Sequence, residues 1–108
     1  MTREEILRNI VCYSGDIKSL AKELSAFEWD SDELITISGS DIKNVITQTL
    51  DGKITAWEIE FWANVIEIRD DLGFENDNVK DAVFQLANPV LHGELLTARL
   101  KEIGSMIA

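Results

Sequence analysis

A chain of 108 residues, 45% of them apolar, with a formal net charge of −10 has one domain's length and enough apolar content to close a core without disulfides or a structural metal. Its single Cys12 leaves no internal disulfide to form, no apolar run approaches the roughly 20 residues that cross a bilayer, and no basic-then-apolar leader opens it, so a cytoplasmic protein is expected. The acid surplus disfavours nucleic acid and anionic membranes and favours a basic protein partner.

Thr2 and Glu5 have capping-box spacing, and Ile6, Leu7, Ile10 and Val11 follow at helical intervals. Cys12 beside them reads as a small core residue. Ser14-Gly15-Asp16 is a break, after which Ile17, Leu20, Ala21 and Leu24 form a second apolar stripe. Residues 27–38 are irregular. Their end, 34–38, has an extended character, but no second strand is visible to pair with it, and an isolated strand is unstable, so a covering loop is expected. Ser40 is a candidate N-cap for a third helix carrying Ile42, Val45, Ile46 and Leu50, ending at Asp51-Gly52. Thr55 and Glu58 form another capping box and open a fourth helix, expected to run to about Asp71 and stop before Gly73. Asp77 or Asn78 caps a fifth, with Val79, Val83, Phe84 and Leu86, closed by Asn88-Pro89. The tail from Gly93, with Leu95, Leu96, Leu100, Ile103 and Ile107, reads as a sixth. The expectation is an all-α fold: one domain spanning 1–108, a compact bundle of five or six helices around a central apolar helix near 55–71.

That fourth helix divides by angle. At about 100° per residue, Trp57, Phe61, Val65 and Ile68 fall within about 80° of one another, and Ile59, Trp62, Ala63 and Ile66 fill a second arc. Both arcs are expected to be buried. The remaining narrow face carries Glu60, Asn64, Glu67 and Asp71 with no base among them, so like charges oppose one another at helical contact distance. Asp70 and Asp71 also stand at the unfavourable end of the helix dipole. A row of acids that works against local stability is a candidate partner-binding stripe. Arg69, set between the apolar arcs, is expected to form a structural ion pair with a carboxylate from another segment, the 28–33 loop being one candidate.

The net charge is localised. Residues 1–27 and 82–108 each balance to zero, while residues 28–81 carry fourteen acids against four bases. Within that half, Glu28, Asp30, Asp32 and Glu33 surround Trp29, a second candidate partner-binding cluster. Other chemistry finds little support. The acids at 30–33 and 70–77 lack the oxygen spacing and central glycine of a calcium loop. His92 is the lone histidine. No metal-ligand cluster, phosphate-binding glycine loop or nucleophile set is present. Neither an enzyme nor a bound cofactor or metal is expected.

Trp62-Ala63-Asn64, then Glu67-Ile68-Arg69-Asp70-Asp71 and Gly73-Phe74-Glu75, preceded by Gly52-Lys53-Ile54-Thr55, resemble small acidic bacterial immunity proteins. The resemblance is to those of contact-dependent growth inhibition and, more loosely, to the helical immunity proteins of nuclease colicins such as colicin D. It covers about residues 28–90. It implies a protein that binds a cognate toxin domain, often a basic nuclease, and blocks its active site or substrate groove. Contact surfaces differ between cognate pairs, so no contact residue carries over. The alternative is a small acidic adaptor or regulatory subunit for a non-toxin protein.

Overall fold

Most of the helices begin on a side-chain oxygen. In the computed structural model, which describes residues 2–27, 32–89 and 97–107, Thr2 caps α1 (Arg3–Val11), Asp16 caps α2 (Ile17–Leu24), Ser38 caps α3 (Gly39–Leu50), Thr55 caps α4 (Ala56–Glu67) and Asn76 caps α5 (Asp77–Ala87). At Ser38 and Thr55 the capping box is complete, with Asp41 and Glu58 returning the bond to the cap backbone. The caps of α3 and α5 lie two and one residues earlier than Ser40 and Asp77. A final helix, α6 (Thr97–Ser105), closes the described chain. The fold is all-α, six helices among the described residues, with one short sheet.

The sheet corrects the expected loop at 34–38. Strand β1 (Ile35–Ile37) pairs in parallel with β2 (Leu72–Phe74), in the register Ile35↔Leu72, Thr36↔Gly73 and Ile37↔Phe74. The Asp71 carbonyl accepts from Leu34 N at 2.8 Å, and Glu75 N donates to the Ile37 carbonyl at 2.9 Å, extending the ladder at both ends. Parallel strands need a long crossover, here supplied by α3 and α4. The partner is therefore remote in sequence, and Leu-Gly-Phe has no strand signature of its own. The same pairing ends α4 early. Ile68 is its C-cap, and 69–71 turn the chain into β2, so the helix stops at Glu67, short of Asp71.

One hydrophobic cluster joins the inner faces of all six helices to Ile35, Ile37 and Leu72. The α4 residues Ile59, Trp62, Ala63 and Ile66 are each fully enclosed, as the second arc requires. The Trp62 indole Nε1 donates at 2.6 Å to the Ile10 carbonyl, tying α4 to the end of α1. Helix α4 packs on α5 and α3, α1 on α2, and α3 on α6. Cys12 is exposed, against expectation: as the C-cap of α1 it sits past the buried stripe. Leu50 and Phe84 also lie at the surface. Among the described residues no helix is long and apolar enough to cross a membrane.

Candidate docking surface

The candidate acids separate. Glu60 is half-buried, and Asn64 and Glu67 are exposed. All three stand on the outer side of α4, with the Glu67 carboxylate 3.5 Å from the Asn88 amide. Asp32 and Glu33 are exposed as well. Glu33 accepts from Thr36 Oγ1 at 2.6 Å and fills the space that a Cβ on Gly73 would occupy. Glu28, Trp29 and Asp30 lie outside the described residues.

Asp71 does not belong to the stripe. It is 0% exposed, because α4 ends four residues earlier and the turn folds this carboxylate under the molecule. A buried carboxylate without partners is too costly to persist, and Asp71 has two arginines. Arg69 Nε reaches Oδ1 at 3.1 Å and Arg69 Nη2 reaches Oδ2 at 2.7 Å. Arg3, from the first turn of α1, places Nε at 3.0 Å and Nη2 at 2.9 Å from Oδ2. Arg69 is a structural ion-pair residue as expected, paired among the described residues with the carboxylate two positions on. Arg3 was not anticipated. Its position beside a capping box carries no sequence signal for a partner nearly seventy residues away.

The larger correction concerns the first apolar arc. Trp57 is 56% exposed and Ile68 67% exposed, with Phe61 and Val65 half-buried. The neighbours of α4 cover the opposite arc fully and Phe61 and Val65 in part, so Trp57 and Ile68 face outward at the two ends of the row. The Trp57 and Phe61 rings stack, centroids 5.6 Å apart and planes 12° from parallel. Lys18 Nζ lies 4.7 Å from the Trp57 ring centroid, within cation–π range. Between the starts of α2 and α4 is a cleft of about 380 Å³, lined by Tyr13, Asp16, Ile17, Lys18, Trp57, Glu58 and Phe61. At the far end of the row, Ile68 and Phe27 line a shallow groove with Ser25 and Arg69, and the Arg3 guanidinium is 5.8 Å over the Phe27 ring.

Tyr13 is the residue sequence reading missed. Its φ is +54°, the described non-glycine residue in the left-handed region. It closes α1: Tyr13 N donates to the Ile10 carbonyl and Ser14 N to the Asn9 carbonyl at 2.8 Å, the Schellman pattern in which glycine is usual. An aromatic there is costlier than glycine, and its ring packs on the core and borders the cleft. Partial burial pushes the Tyr13 phenol above its ordinary 10.0, reinforced by the charge of Glu58, a hydrogen bond to that carboxylate, and Asp16. Glu58 is held below 4.5, chiefly by the Thr55 backbone N–H and then its hydroxyl. The one available signal was an aromatic directly before Ser14-Gly15, where a helix ends.

Among the described residues no three His, Cys, Asp or Glu side chains are grouped to hold a metal ion. The surface offers aromatic area, fixed acids and, at its cleft end, the Lys18 ammonium. No protein-family model, curated protein or solved structure matches this chain.

Proposed function

We propose that this chain is an immunity protein: it acts in the cytoplasm, without catalysis, by binding a cognate bacterial toxin domain with a basic, nuclease-type surface and neutralising it. The observation that carries the reading is the placement of charge. A net −10 arises within residues 28–81, and part of it stands as Glu60 and Glu67 on α4 beside the exposed Trp57, the half-buried Phe61 and the exposed C-cap Ile68. The resemblance of residues 28–90 to growth-inhibition immunity proteins points the same way. A nuclease groove must attract phosphates, so it is basic. A rigid acidic protein enters it as a competitor and excludes substrate by occupancy. Complementary charge of this kind lifts association from about 10⁵–10⁶ towards 10⁸–10⁹ M⁻¹s⁻¹ at low salt.

The test is rescue. Where the neighbouring gene encodes a large secreted or nuclease-like protein, the C-terminal domain of that protein is induced in cells with and without the chain. Growth restored by co-expression supports the proposal. Continued killing despite soluble, folded chain overturns it and leaves the adaptor reading, which predicts binding to a non-toxin protein and no rescue.

A further inference from the structure

We infer that the affinity for the basic partner resides in the outward aromatic row of α4, centred on Trp57, and that the acids beside it serve association. The inference rests on the immunity reading and adds to it the chemistry of the contact: an apolar socket on the partner, rimmed by arginine or lysine.

Four observations lead there. Trp57 has no packing task that needs its size, since Ile59, Trp62, Ala63 and Ile66 fill the interior. The surface of a helix is better served by lysine or glutamate, which have higher helix propensity than tryptophan. The ring is held in place, stacked on Phe61, so little freedom is lost when a partner covers it. Rigid aromatics of this kind are the usual centres of protein interfaces. Charge then selects the occupant. Glu60 and Glu67 flank the row on one side and Glu58 on the other, at helical positions about 60–100° from it. The lining of the adjoining cleft adds Asp16 against one base, Lys18. That ammonium lies 4.7 Å from the Trp57 ring centroid, the kind of position a partner's guanidinium takes by displacing or flanking it.

A second copy of the chain fits poorly. A two-fold contact through this face would bring Glu60 and Glu67 of both copies into one interface, between molecules each carrying −10.

The experiment uses the full chain and a catalytically inactive form of the toxin domain from the rescue assay. Calorimetry supplies Kd, stopped-flow mixing the rates, and light scattering the mass of the free chain. Trp57→Ala, with Trp57→Gln as a second variant in case the first unfolds, is expected to weaken binding roughly 30-fold or more through faster dissociation. Its thermal midpoint stays near that of the wild type. The double variant Glu60→Lys/Glu67→Lys is expected instead to slow association, with a smaller change in dissociation. Wild-type affinity in both folded Trp57 variants overturns the inference and leaves the immunity reading standing. A free dimer dispersed by Trp57→Ala also overturns it, assigning the face to a second copy. Failure of the wild-type chain to bind the domain removes the immunity reading and the inference together.

Discussion

Asp71 and its two arginines show how a residue's chemistry can be right in type and wrong in place. Read at helical spacing, Asp71 prolonged an exposed acidic stripe. In the fold it is enclosed, with Arg69 8% exposed beside it and Arg3 closing from α1. Reversing Glu60, Glu67 and Asp71 together, the natural test of the stripe, would therefore confound binding with unfolding. Removing Asp71 takes away the buried counter-charge that Arg3 and Arg69 share. Asp71→Ala is expected to lower stability by about 3–5 kcal/mol, measured as a shift in urea midpoint at unchanged slope. A loss below about 1 kcal/mol, the value of a surface pair, would contradict the burial. The arginine was legible as an ion-pair residue because a guanidinium in an apolar segment needs a counter-charge. Its partner was not, because the turn at 69–71 exists only once β2 pairs with β1.

Helix α4 is the element on which core and surface meet. Its capping box and inner arc follow from local sequence: Thr55 and Glu58 satisfy the first N–H groups, and Ile59, Trp62, Ala63 and Ile66 recur with helical period. Trp62→Ala should cost about 3–5 kcal/mol, from lost transfer energy and the cavity left behind, together with the bond to the Ile10 carbonyl. Trp62→Phe, which keeps most of the ring volume, should recover much of that loss in the same denaturation measurement. The helix's apolar content suggested burial of both apolar arcs, but hydropathy counts residues and not neighbours. With α1, α3 and α5 on one side, Trp57 and Ile68 are left exposed among the described residues. The parallel sheet was equally hidden, since Leu72-Gly73-Phe74 resembles the end of a helix until Ile35–Ile37 offers its backbone.

For the whole molecule the governing quantity is the uneven distribution of charge. Both ends of the chain are neutral and the middle carries the surplus, so under the proposed function its field would act on a basic toxin domain before any contact forms. Steering of this kind acts on association and is screened over a Debye length of about 10 Å at 0.1 M salt. The wild-type association rate with the toxin domain should fall at least about tenfold between low salt and 0.5 M, while dissociation changes far less. An association rate indifferent to salt would remove electrostatic steering from the mechanism.

Length, patterning and capping signals by themselves determined the helical class, the six described helices in approximate place, the inner face of α4 and the localisation of the acid surplus, because each is set by interactions within a few residues. Tertiary structure alone decided that 34–38 is a strand, that α4 stops at Glu67, that Asp71 is buried against Arg3 and Arg69, and that Trp57 faces outward on Phe61. These depend on which segments, distant in the chain, come to lie against one another. Burial is a property of that arrangement, so an apolar residue in the sequence marks a surface in need of cover without saying whether the cover comes from the same chain or from another protein.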